Sequence, residues 1–152
     1  MIAKKSPLIL NNFFLLNHQY QFIQTNEIPN ILEITEQYPI EIDFVVQKVN
    51  EEFYQLFTKI GVNNAEKPLS GYKLFIEGAC IFSFDKSANL SEIDKSNLLH
   101  LSGISICINS LRNIIATITT NGLFGKYTLP TIDVNQLLAD KNEIIEKQAQ
   151  SK

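Results

Sequence analysis

The spacing of apolar side chains changes once along this chain, and that change constrains the fold more than any other feature. Up to about residue 85, apolar and polar residues alternate; from about residue 104 the apolar ones recur every three or four positions. The first period belongs to a strand with one buried face, the second to a helix with one buried stripe.

In Leu8–Phe22 the even positions Leu8, Leu10, Phe14, Leu16, Tyr20 and Phe22 are apolar, while Asn11, Asn17, Gln19 and Gln21 fall on the odd face. Ile40, Ile42, Phe44 and Val46 repeat the pattern against Glu41, Asp43 and Gln47. A third strand, about Phe53–Val62, follows after only Asn50-Glu51-Glu52, which predicts an antiparallel hairpin. Pro68 and Gly71 mark the next turn, and Tyr72, Leu74, Ile76, Cys80, Phe82 and Phe84 form the fourth strand. Gly78 and Ala79 within it signal a bulge or a close backbone approach.

Beyond the strands, Ile104, Cys107, Ile108, Leu111, Ile114, Ile115 and Ile118 make one apolar stripe. The segment is rich in β-branched residues, which favour strands, but its period and length outweigh propensity. Asn121-Gly122 supplies a stop. Leu123–Thr131 reads as a loop, and Asp133 with Gln136 as a capping box opening a last helix. Val134, Leu137, Leu138, Ile144 and Ile145 are expected on its inner side. The expected class is α+β: four antiparallel strands in sequence order (about 8–85), then two helices packed against the sheet (about 91–150), forming one domain over 1–152.

Composition narrows the function classes. Acids outnumber bases for a net charge of −3, and Arg112 is the sole arginine. No basic stripe exists to follow a phosphate backbone, so nucleic acid is not an expected partner. Lys4 and Lys5 precede an apolar stretch, as in a secretory signal, but Asn11 and Asn12 break it and no small-residue cleavage site follows. Arg112 interrupts the longest apolar candidate, Ile104–Ile118. The expectation is a cytoplasmic protein with no membrane insertion. Cys80, Cys107, His18 and His100 lie too far apart in sequence to suggest a metal cluster, and both cysteines read as buried free thiols. With no carboxylate pair, nucleophile motif or Gly-rich phosphate loop, no catalytic residue, metal or cofactor is expected.

The segment Leu98–Leu138 resembles the C-terminal half of the SecB family of bacterial protein-export chaperones. The family pattern runs L-L-H, R-x-I-I-A, a Thr, a Gly and P-I-D-F. Here Leu98-Leu99-His100, Arg112-Asn113-Ile114-Ile115-Ala116, Thr119, Gly122 and Thr131-Ile132-Asp133-Val134 stand in the same register without gaps. The G-G-I-F signature that ends the fourth strand appears as Ala79-Cys80-Ile81-Phe82, and the first strand fits the length and aromatic positions of F-x-L-x-x-I-Y-x-K-D-L-S-F-E. The resemblance spans about Leu8–Leu138.

The family implies a tetramer, a dimer of dimers, that holds unfolded chains without nucleotide or metal in the fold. By position, Tyr38 in the linker after the first strand, Phe124, Tyr127 and Leu129 of the loop, and Leu137 and Leu138 of the last helix would line its client groove. The loop aromatics read either as a partner surface or as a local lid, and the two leucines also suit a core. The chain departs from the family where the SecA motor docks. Asn17 and Gln21 replace an acidic pair, Phe75 replaces another acid with Glu77 two residues on, and Glu146–Lys152 lacks the features of a motor-binding tail. F-P-Y-A-R becomes Ile108-Asn109-Ser110-Leu111-Arg112. Three readings stay open: a holdase for export, a dedicated chaperone of an antitoxin or other single partner, and a small-molecule-binding or purely oligomerising α+β domain. A homodimer or homotetramer is expected, from Leu101 and Ile106 beyond the helical stripe and from the aromatic first strand.

Overall fold

The computed structural model describes residues 1–24 and 30–150. Its strands are β1 (Leu8–Ile23), β2 (Ile40–Lys48), β3 (Tyr54–Val62) and β4 (Gly71–Phe84). The helices are α1 (Ile31–Glu36), α2 (Glu92–Leu98), α3 (Ile104–Thr119) and α4 (Val134–Gln150), with a π turn, Leu99–Gly103, joining α2 to α3. The run Glu92–Thr119 is long and apolar enough to cross a membrane by length and composition alone. Here the inward stripe of its α3 part is already committed to the sheet.

The sheet is antiparallel throughout, in the order β1-β4-β3-β2. The expected strands are all present, but β1 sits beside β4 rather than β2. The chain crosses from one edge to the other through α1, a helix the sequence reading passed over as linker. Between β2 and β3, Asn50 Oδ1 accepts from the backbone N–H groups of Glu52 and Phe53, each at 2.9 Å. Between β3 and β4, buried Asn63 adopts φ 52°. Its amide donates to the carbonyls of Leu69 and Tyr72 and accepts from Leu69 N–H, all at 2.8 Å. A left-handed backbone and three internal hydrogen bonds together explain an asparagine in the core.

One sheet face meets α3. Leu56, Ile60, Leu74, Ile76, Cys80 and Phe82 look inward, and the expected stripe answers with Ile104, Cys107, Ile108, Leu111 and Ile115. Both cysteines are buried, and the contact with Cys107 together with burial pushes the Cys80 thiol well up. Gly78 is the expected close approach. A Cβ there would lie 2.9 Å from both Leu111 and Phe13.

The bulges sit on β1, opposite β4. Register slips occur between Leu10 and Asn12 and between Leu15 and Asn17, so Asn11 and Leu16 are extra residues. The single even-numbered face is therefore corrected. Leu8, Leu10, Phe13, Leu15, His18, Tyr20 and Phe22 share the α3 side, while Ile9, Phe14 and Leu16 turn outward. Leu8 alone is buried in β1, because α3 lies over β3 and β4. A second correction concerns α4. Val134, Leu137 and Leu138 pack against the core, but Ile144 and Ile145 are each about half exposed.

Candidate binding groove

Tyr72, fully buried on β4, organises one wall of a groove. Its hydroxyl donates to Gly125 O (2.6 Å) and accepts from Phe124 N–H (3.1 Å). Gly122 must be glycine, since a Cβ would fall 2.3 Å from that hydroxyl. Thr119 Oγ1 accepts from Tyr127 N–H (2.9 Å) while donating back to Ile115 O. Arg112 Nε donates to Leu129 O (3.0 Å), and its terminal nitrogen to Pro130 O (2.8 Å). The sole arginine thus acts as a backbone clamp, using the fixed fork of a guanidinium. Three side chains from β4 and α3 hold the loop between α3 and α4 at five backbone points.

The opposite wall is α1. Asn30 caps it, accepting from Glu33 N–H, and Thr35 bonds back to Ile31 O (2.8 Å). Leu32 (69% exposed) and Ile31 (41%) point away from the core. Tyr38 closes the base, accepting from Tyr72 N–H (3.0 Å) and donating to Ser70 O (2.8 Å). Its ring lies 5.8 Å from that of Tyr127. Phe124 packs edge-on against Phe22 at 5.1 Å and against Tyr72 at 6.0 Å.

Between these walls opens a groove of about 580 Å³, with Glu36 and Lys126 among its lining. Burial holds the hydroxyls of Tyr38 and Tyr72 above the usual phenol range and pushes Tyr127 up to about 12. All three stay neutral, and those of Tyr38 and Tyr72 act as hydrogen-bonding groups. The slot is apolar in part, with neutral tyrosine hydroxyls at its base and one charge of each sign, Glu36 and Lys126, in its wall. Among the described residues, no group of three His, Cys, Asp or Glu could hold a metal ion.

Of the six expected groove residues, Tyr38, Phe124 and Tyr127 line this cavity; Leu129, Leu137 and Leu138 do not. Leu129 (1% exposed) and Tyr127 (7%) belong to the core, so the loop apolars are largely a lid rather than a free surface. Only Phe124 of the three is half-buried. Ile31 and Leu32 were missed, although Asn30 and Glu33 flank this apolar pair at N-cap and N3 spacing. On the far side, Lys141 of α4 reaches Asp43 of β2 (2.5 Å) and lies 5.7 Å from the Phe44 ring centre.

No family model matches this sequence, and no curated protein matches it. Among solved structures, it is similar to the Mycobacterium tuberculosis SecB-like chaperone Rv1957, solved in complex with a ChAD peptide from the HigA1 antitoxin. The two share 13% identity over 84% of this chain and 88% of that one, with a TM-score of 0.57. The fold is SecB-like. A Streptococcus agalactiae protein of unknown function also matches, at 12% identity over 82% of this chain and 97% of that one, with a TM-score of 0.45. Within this SecB-like sheet, the register puts Asn17, Gln21, Phe75 and Glu77 together on the face turned away from α3.

Proposed function

We propose that this chain is a holdase chaperone, binding unfolded or partly folded polypeptide without ATP in the groove between α1 and the α3–α4 loop. The observation that carries this is the groove itself. Exposed Ile31 and Leu32 face a half-buried Phe124 across a 580 Å³ slot on a SecB-like fold. An unfolded chain presents apolar side chains that such a slot shields from water. On this reading the chain acts in the cytoplasm as a homodimer or homotetramer, assembled through exposed β1 and the Leu101 flank of the helical run.

A dedicated partner, such as an antitoxin, suits the surface better than general export. A neutral pair, Asn17 and Gln21, beside Phe75 offers little electrostatic steering to a basic motor site, so SecA binding is expected to be weak at physiological salt. The similar mycobacterial chaperone was solved with an antitoxin peptide, which supports the same reading.

The test is aggregation suppression with an unfolded client, using Leu32→Glu and Phe124→Ala together. The expected result is a melt within a few degrees of the unmodified chain and most protection lost, since few anchors carry most of an interface. Full protection by the folded variant would overturn the groove assignment. A thermal shift with a metabolite, and no effect on client aggregation, would favour the small-molecule reading.

A further inference from the structure

The sheet face turned away from α3 is ordered in rows that cross all four strands. One row runs Val45–Phe57–Ala79–Phe14 and is apolar throughout. Val45 (54% exposed) and Phe14 (47%) stand open at its ends. The next row is Asp43–Lys59–Glu77–Asn17, and the one after it Glu41–Gly61–Phe75–Gln19.

On the two central strands each row is complementary across β3 and β4. Phe57 stands beside Ala79, Lys59 beside Glu77, and Gly61 beside Phe75. A two-fold axis lying along the strands, between β3 and β4, exchanges the two positions in every row. Phe57 then meets the partner's Ala79, Lys59 the partner's Glu77, and Phe75 the partner's Gly61. The outer strands follow: Val45 faces the partner's Phe14, Asp43 the partner's Asn17, and Glu41 the partner's Gln19. Large side chains meet small ones, and no row brings like charges together. An axis running across the strands along the charged row would instead lay Asp43, Lys59 and Glu77 each on its own copy. The charge pattern selects between the two.

Two hollows mark where the side chains would enter. One, of about 230 Å³, has Gly61 in its lining beside Glu41 and Lys59; the other, of about 180 Å³, lies between Leu16, Val45 and Phe57. Lys59, now 3.5 Å from Asp43, keeps half of its side chain in solvent and can turn to a second acid.

We propose that this face is a self-association surface, and that its occupant is the same face of a second copy, packed sheet on sheet. Four strands spaced about 4.8 Å apart, over about nine residues of about 3.3 Å, give a footprint of roughly 570 Å² per copy. The total, about 1,100 Å², is near the lower limit for a specific interface, so assembly at roughly micromolar concentration is expected. The surface is separate from the groove and does not depend on the chaperone reading.

Charge exchange tests it. Lys59→Glu carries acids at both central positions, and Glu77→Lys carries bases at both. By sedimentation of the full chain, each variant alone should associate at least about tenfold more weakly than the unmodified chain. An equimolar mixture should recover the lost association, because each variant then meets its opposite. Within one chain, neither substitution can be repaired by mixing, so recovery reports contact between copies. Phe75→Glu, with its circular-dichroism melt recorded beside it, should also dissociate the assembly while remaining folded. A monomeric unmodified chain at tens of micromolar overturns the proposal. So do single variants that associate like the unmodified chain, or a mixture no stronger than its components.

Discussion

The hydroxyl of Tyr38 accepts the backbone N–H of Tyr72 at 3.0 Å, joining the crossover after β1 to the first residues of β4. Those two tyrosines stand 34 positions apart, yet together they tie down both walls of the groove. Tyr38 reaches Ser70 as well, and Tyr72 reaches Phe124 and Gly125. Gly71, at φ 102°, lets the strand begin against the Tyr38 hydroxyl, which a Cβ would approach to 2.0 Å.

Removing the hub should be costly without emptying the core. Tyr72→Phe keeps the ring but leaves Phe124 N–H and Gly125 O without their shared partner. A loss of about 1–3 kcal/mol in denaturant melts is expected. An unchanged midpoint would mean that water replaces the hydroxyl.

Leu129 and Leu123 separate lid from surface within one loop. Leu129→Ala should cost about 2–5 kcal/mol, as a cavity in the core does. Leu123, 81% exposed, should tolerate alanine within about 0.5 kcal/mol. Equal effects at the two positions would contradict the burial described.

Arg112→Lys should not conserve function in the loop. A lysine cannot span the carbonyls of Leu129 and Pro130 with a planar fork. The expected outcome is faster backbone amide exchange in 122–130 with α3 still protected. Protection of that loop unchanged from the unmodified chain would refute the clamp.

Acid should loosen α4. Burial raises the Asp43 carboxyl, but the Lys141 hydrogen bond, Phe44 N–H and the charges of Lys141 and Lys59 outweigh it, so it titrates below the usual range. Its stabilisation is therefore complete above the unfolded value of about 3.9 and disappears as pH falls through the lower folded value. Being partly exposed, the contact contributes at most about 1 kcal/mol. The melting difference between the unmodified chain and Asp43→Asn should be present at pH 7 and vanish near pH 2. A difference that persists at pH 2 would assign the effect to packing.

Much of this was legible in the chain's spacing. The α3 stripe from Ile104 to Ile115 was readable because a continuous helix keeps its period whatever surrounds it. The same holds for β2 and β4, where alternation runs unbroken from Ile40 to Val46 and from Tyr72 to Ile76. β1 was misread for a local reason. One extra residue inverts every side chain beyond it, and nothing in Asn11 or Leu16 announces the slip. The groove was half legible. Loop position identified Phe124 and Tyr127, but exposure depends on what folds over them, and Leu129 is covered by contacts that no local pattern encodes. The face rows are visible only once the register of all four strands is known.

The two extra residues of β1 also set where this chain can change length. β1 has 16 residues where β4 has 14. Deleting Asn11 or Leu16 would turn a bulge into an ordinary ladder step, with every flanking side chain still on its present face. Residues 11 and 12 are both Asn and 15 and 16 both Leu, so loss of either member of a pair is the same change. Deleting Phe13 or Phe14 would instead turn part of the intervening stretch over, bringing Asn12 to the α3 side or sending Leu15 away from it. Length variation among natural versions of this strand should therefore fall within Asn11-Asn12 or Leu15-Leu16, and an alignment that places a gap between Phe13 and Phe14 would be misaligned.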